Sequence, residues 1–419
     1  MFEHYQLGNR ANVYLVPQID TKSVTALVMY PVGSRYETEK MRGVSHYIEH
    51  LMFKGTKKRP TTLALTREID RLGAEYNAFT GKEYTGYFIK VDATYTETAI
   101  DILSDMLFHS LFDAKEMEKE KTVIVEEIRM YKDNPIMRIE DLFEESLFAG
   151  SRMGWNIAGT EDHVLSYGRD DVLAYRHRYY QPGNATIIIA GAIDDDIRKL
   201  LARYFGKERN VHAAPKTFTP HGFGSSEKTD RIVVERKHTD QAQLMIGFPA
   251  FRHTDKRNTA GAVMNMILGG SMSSRLFIQI RERRGLAYMV KSGGETFRDA
   301  GFFYVRAGLD AKNINGALAV MHNEIEKIKD AGVTQRELKD AKTHIRGSLT
   351  LSLEDSSAQA DWYARQALFM DSIKTPEQKL REIERVTNEQ IRDVARRVFH
   401  SDEMRVAVVG DVEAESVFF

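Results

Sequence analysis

A chain of 419 residues exceeds one ordinary hydrophobic core, so two domains are expected. Its 42% hydrophobic and 28% charged residues are those of a soluble globular protein, and a net charge of -1 leaves no electrostatic footprint for nucleic acid or an anionic membrane. No apolar run reaches bilayer length, Met1 to Tyr5 lacks signal-peptide character, and zero cysteines exclude disulfides and thiolate chemistry. A cytoplasmic location is therefore expected, with any metal held by His, Asp or Glu.

In chain order, Ala26 to Pro31 reads as a short apolar strand ended by proline. Gly43 to Phe53 has helical periodicity, with Val44, Tyr47, Ile48 and Leu51 available for a buried face. His46 and His50 stand four apart on that helix, so both imidazoles project from one side and can reach one tetrahedral ion. Glu49 lies on the adjoining flank, placed to touch a metal-activated water rather than the metal.

Phe112 to Glu116 reads as a helix N-cap with a charged first turn, and the helix from Glu116 to Tyr131 carries Glu120, Glu126 and Glu127. Glu120 and Glu127 are two turns apart and share a stripe with Val123 and Ile124. A carboxylate in line with apolar side chains faces inward and needs a cation, so this run is expected to supply the third ligand. Glu126 competes for that role, and periodicity does not separate the candidates. Tyr175 to Gly191 is a helix running into the strand Thr186 to Ile189, and Lys207 to Asp230 has the polar, Pro/Gly/Ser-rich composition of a linker.

The second half rewrites the first. Leu244 to Pro249 answers Ala26 to Pro31, Val333 to Glu337 answers Phe112 to Glu116, and Val394 to Gly410 answers Tyr175 to Gly191. Thr334 and Glu337 fit a capping box, and Asn313 to Lys329 is a further clear helix. The expected organisation is an N-terminal domain over 1–210, a linker over 211–230 and a homologous C-terminal domain over 231–419. Neither half shows βαβ alternation or a phosphate loop. Each is expected to be α+β, a largely antiparallel sheet packed with helices.

The duplication acts as an internal control. Aligned by sequence, His46, Glu49 and His50 face Met264, Ile267 and Leu268, while Glu120 and Glu127 face Ala341 and Ser348. All five polar residues are absent together from the second copy, so the fold does not require them and a shared metal task explains them.

The HxxEH order of His46 to His50, with Glu127 downstream, resembles the inverzincins of the M16 (pitrilysin) metallopeptidase family. The likeness is to short two-domain bacterial members related to mitochondrial processing peptidase, and it covers essentially the whole chain. It implies one zinc per chain on His46, His50 and Glu127, Glu49 as general base and Glu120 as the supporting carboxylate. Tyr76 to Thr85 resembles the family's active-site edge strand, implying that Asn77, Ala78, Phe79 and Thr80 bind a peptide by strand addition. Arg281 to Tyr288 resembles the family's arginine–tyrosine pair, which implies that Arg281 holds the substrate backbone and Tyr288 donates to the oxyanion. From the residues alone these two read only as a helix end and a packed aromatic. The resemblance further implies an endopeptidase acting on peptides or unfolded chains, and a homodimer enclosing a chamber. The rival is a non-catalytic core subunit of the same fold.

Overall fold

The fold is that of a computed structural model and is described for residues 2–210, 215, 218–223 and 231–418. Most of the expected linker, including 211–214 and 224–230, lies outside the described residues. Among the described residues no helix is long and apolar enough to cross a membrane.

Two sheets organise the chain. The first contains β1 (Glu3–Gln6), β2 (Asn12–Pro17), β3 (Ser23–Tyr30), β4 (Glu75–Thr80), β5 (Thr85–Asp92) and β6 (Thr186–Gly191), in the order β1-β2-β6-β3-β5-β4. The second contains β7 (Ile232–Arg236), β8 (Ala242–Pro249), β9 (Ala287–Thr296), β10 (Gly301–Leu309) and β11 (Arg405–Gly410), in the order β7-β11-β8-β10-β9. Without β1, the two orders are the same path written twice. Each has a single parallel pair, β2 with β6 and β7 with β11, and is otherwise antiparallel. The expected α+β architecture of two homologous sheets packed with helices is what the chain adopts.

Strand alternation explains how each sheet is covered. Val24, Ala26, Val28 and Tyr30 of β3 face the main core of the first sheet, as Ala242, Leu244, Ile246 and Phe248 of β8 do in the second. Leu27 and Met29, and Met245 across the duplication, face the opposite side and need a second cover.

In each compact unit that cover is a helix drawn from the other half of the sequence. One unit comprises residues 1–129, 155–219 and 351–373, the other 130–154, 220–350 and 374–419. The units thus depart from a linear division at 211–230 in two segments. Helix Pro135–Leu147 packs Ile139, Leu142 and Phe143 on the second sheet, against Met245, Ala407 and Val409. Helix Ser356–Phe369 packs Ala360, Tyr363 and Ala364 on the first sheet, against Leu27, Met29, Ile188 and Ala190. The fit is close: a Cβ on Gly247 would lie 2.2 Å from the Phe143 ring.

Candidate metal centre

Two helices of the first unit carry the site, α1 (Val44–Leu51) and α2 (Ala114–Asp133). The expected buried face of α1 forms: Val44, Tyr47, Ile48 and Leu51 are fully buried, and Met52 follows them. Tyr47 Oη donates to Met117 O at 2.7 Å, which fixes α1 against α2.

The N-terminus of α1 is capped from a distance. Its N-cap residue Gly43 has φ 90°, and a Cβ there would lie 2.3 Å from Ala158 O, so no side chain can cap in place. Glu37 takes over. Its fully buried carboxylate accepts from Gly43 N at 2.7 Å and from Ser45 N at 2.8 Å. Burial pushes its pKa up to about 7, against the lowering effect of those two bonds.

His46, His50 and Glu127 converge, each offering one ligand atom within 4.8 Å of the others. His46 Nε2 lies 3.6 Å from Glu127 Oε1, and His50 Nε2 lies 3.5 Å from Glu127 Oε2. These gaps are too long for hydrogen bonds. Ligands about 2.0–2.1 Å from a tetrahedral zinc lie roughly 3.3–3.4 Å apart, so the spacing fits one shared ion. Burial, helped by the neighbouring His50, pulls His46 down to about 3. His46 is therefore neutral at pH 7, as a metal ligand must be.

A second layer orients His50. Its Nδ1–H donates to Glu120 Oε1 at 2.8 Å, leaving Nε2 to face Glu127. Lys54 Nζ lies 2.5 Å from Glu120 Oε2. Burial raises the Glu120 pKa, but the bonds from His50 and Lys54 outweigh it and hold the carboxyl below its ordinary value. Burial likewise lowers His50, yet the Glu120 bond and the charges of Glu127, Glu120 and Glu49 leave it raised. Glu127 is raised, chiefly by burial.

Glu49 stands beside this group, its pKa also raised by burial. Thr80 Oγ1, at the end of β4, donates to Glu49 Oε2 at 2.5 Å. Among the described residues, strand β4 is the outermost strand of its sheet and pairs only with β5.

Several expectations change in detail. Glu126 points outward and pairs with Arg129 at 2.8 Å, so Glu127 alone of the two joins the histidines. Val123 is exposed although Ile124 is buried, because the stripe from Glu120 to Glu127 runs along the border of the buried face. Arg281 lies within a π-helical turn, Phe277–Glu282, and its guanidinium stands 5.2 Å from the Tyr288 ring centroid. Tyr288, on β9, is 72% exposed and is not a packed aromatic. These two residues belong to the second unit.

The internal alignment also shifts. Helix Asn258–Leu268, the counterpart of α1, buries Ala260, Val263, Met264, Ile267 and Leu268. That spacing matches Val44, Tyr47, Ile48, Leu51 and Met52, so burial pairs His46, Glu49 and His50 with Ala262, Asn265 and Met266. The pairing with Met264, Ile267 and Leu268 was two residues off, because the loops before the helices differ in length. Helix Gln335–Ser352 keeps its sequence alignment with α2: Leu338 and Ala341 are buried as Met117 and Glu120 are. The second unit lacks the ligand set under either pairing.

Sequence reasoning missed Glu37 and Lys54. Glu37 is a lone acid with no periodic signal, whereas Lys54 stands four residues after His50 and was open to an i,i+4 reading.

Residues 13–161 match the family model described as insulinase (peptidase family M16), and residues 166–345 match the peptidase M16 inactive domain. The chain is similar to the "uncharacterized zinc protease YmxG" of Bacillus subtilis (strain 168), with 34% identity over 96% of this chain and 97% of that one. It is also similar to the "uncharacterized zinc protease SCO5738" of Streptomyces coelicolor, with 35% identity over 90% of this chain and 83% of the relative. In fold it resembles a protease from Helicobacter pylori, with TM-score 0.91, 23% identity and coverage of 98% and 99% of the two chains. A peptidase M16 inactive domain from Pseudomonas fluorescens gives TM-score 0.90 at 19% identity, covering 99% of each chain. Relatives named zinc proteases matched along nearly the full length, together with both family models, show that the chain belongs to peptidase family M16.

Proposed function

We propose that the chain is a zinc-dependent endopeptidase that hydrolyses peptides or unfolded polypeptides. The observation that carries this reading is the convergence of His46 Nε2, His50 Nε2 and the Glu127 carboxylate, with Glu49 alongside. When bound there, one zinc per chain supplies Lewis-acid polarisation of the scissile carbonyl and acidifies a water. Glu49 takes the proton of the attacking water and passes it to the departing amine, a role suited to a carboxylate whose proton affinity burial has raised. Glu120, held by Lys54, keeps the His50 proton on Nδ1.

The free edge of β4 supports peptide binding by strand addition along Asn77, Ala78, Phe79 and Thr80. In this reading Arg281 holds the substrate backbone and the exposed Tyr288 donates to the oxyanion. A homodimer with two complete residue sets is proposed, and a mass near the 47.9 kDa monomer at full activity would overturn it. The lack of cysteine supports the cytoplasm. A non-catalytic core subunit of the same fold would leave the three converging ligands without a purpose.

The deciding experiment is product mapping from a mixed peptide library with wild type and Glu49→Gln, alongside metal analysis. The reading expects zinc retained and cleavage reduced by about 10²–10⁴-fold in the variant. Undiminished cleavage by Glu49→Gln would refute it.

A further inference from the structure

Among the described residues, the hydrogen bond that holds the Glu49 carboxylate comes from outside its own helix. A glutamate has three rotatable bonds, and a general base must meet its proton at hydrogen-bond distance. In this chain the fixing contact comes from another element. Thr80 Oγ1 donates to Glu49 Oε2, the other oxygen of the carboxylate being outside that bond.

Both ends of that bond are tied to one short segment, Ser34 to Glu37. Toward the strand, Thr80 pairs with Thr85, and Gly81 N donates to Tyr84 O at 2.8 Å to close the β4–β5 hairpin. Ser34 N and Arg35 N donate to Gly81 O and Lys82 O at 3.3 and 2.9 Å. Arg35 Nη1 also meets Glu83 Oε1 at 2.6 Å, and both side chains are buried. A Cβ on Gly33 would lie 2.0 Å from Gly81 O, so the two loops lie in direct backbone contact. Toward the helix, Glu37 caps α1 through Gly43 N and Ser45 N. The segment therefore sets the hairpin carrying Thr80 and the helix carrying Glu49 in one fixed relation.

We propose that Thr80 is a positioning residue for Glu49, its hydroxyl holding one carboxylate oxygen so that the other is presented to the reacting water. The proposal rests on the reading of Glu49 as general base, and it adds a task to Thr80 beyond contact with the peptide backbone. A threonine placed here only for its strand preference, or only for peptide binding, would not depend on the hydroxyl in the same way.

The test compares Thr80→Val, Thr80→Ser and Glu49→Gln as full-length, zinc-loaded proteins. Valine keeps the shape and strand preference of threonine and removes the hydroxyl, whereas serine keeps the hydroxyl. Thr80→Val is expected to lower kcat by about 10–100-fold, the penalty of a misplaced catalytic group. KM and the zinc dissociation constant, read by chelator competition, should stay within about twofold. Thr80→Ser should recover kcat to within about threefold of wild type, a rescue that a packing role would not give. Unchanged kcat in Thr80→Val, a rise confined to KM, or failure of serine to rescue would overturn the proposal. If Glu49→Gln cleaves as wild type does, the base assignment fails and the proposal falls with it. If Glu49→Gln is inactive while Thr80→Val keeps its kcat, the proposal alone fails.

Discussion

Helix α1 and its counterpart Asn258–Leu268 bury the same five rows of side chains, yet among the described residues only α1 carries candidate metal ligands. The core rows are Val44, Tyr47, Ile48, Leu51 and Met52 in one, and Ala260, Val263, Met264, Ile267 and Leu268 in the other. The difference lies on the opposite flank, where His46, Glu49 and His50 stand against Ala262, Asn265 and Met266. A helix buries only one stripe of its surface, so the remaining flank can gain or lose a catalytic set with little effect on packing. The fold and the chemistry are thus written on separate faces of one helix.

The sharpest way to break that separation is to copy the second unit into the first. His46→Ala, Glu49→Asn and His50→Met together should abolish zinc binding and peptide cleavage, while circular dichroism and cooperative melting stay intact. Collapse of the fold would show that the flank is structural after all. Next in size, Glu127→Ala should empty the site by metal analysis, whereas Glu126→Ala, removing an exposed pair with Arg129, should leave zinc content unchanged. Equal losses from the two would reassign the third ligand.

The core rows predict a different pattern. Ile48→Ala and Met264→Ala should each cost about 2–5 kcal/mol of stability in denaturant titrations, because both side chains are buried. Of the two, Ile48→Ala should also weaken zinc binding in a chelator competition, since α1 presents two of the candidate ligands. The remaining effect concerns the remote cap. Burial holds the Glu37 pKa at about 7, above its ordinary 4.5. A carboxyl raised on folding contributes stability that is fully present below pH 4.5 and is lost as pH rises through 7. The amide of Glu37→Gln has no such proton and loses one of the two backbone bonds. The stability deficit of the variant should therefore be largest near pH 4.5 and shrink toward pH 8, on the order of a few kcal/mol across that range. Parallel stability curves for the two proteins would remove Glu37 titration from the account.

Much of this was legible because it is local. The i, i+3, i+4 rows of α1, the capping box of Thr334 and Glu337, and the apolar strands closed by glycine all carry their signal within a few residues. The HxxEH spacing needs only one helix to become geometry. The parts that escaped depend on distant partners. Lining up the two copies from their sequences alone misplaced the α1 counterpart by two residues, because loop lengths carry no periodicity. Glu37 finds Gly43 and Ser45 across a turn whose path no pattern announces. Val123 beside Ile124 shows that a stripe read from spacing is uncertain at its border, where one residue decides exposure. The crossing of helices between the sequence halves has no local signature, since nothing within Pro135–Leu147 or Ser356–Phe369 says which sheet it will cover.

That crossing also dictates a timetable. Leu27, Met29, Ile188 and Ala190 are in place once Gly191 has been synthesised, but their cover waits for Ala360, Tyr363 and Ala364. At translation rates of about 5–20 residues per second, the first sheet spends roughly 10–35 s with one apolar face bare. A half-chain ending near residue 210 never receives its cover, and an exposed apolar sheet face is a surface for aggregation. The two copies of this duplicated chain can therefore no longer be separated by cutting between them. Each half is finished by a helix from the other, and synthesis must reach Phe369 before the half that holds the candidate metal ligands is complete.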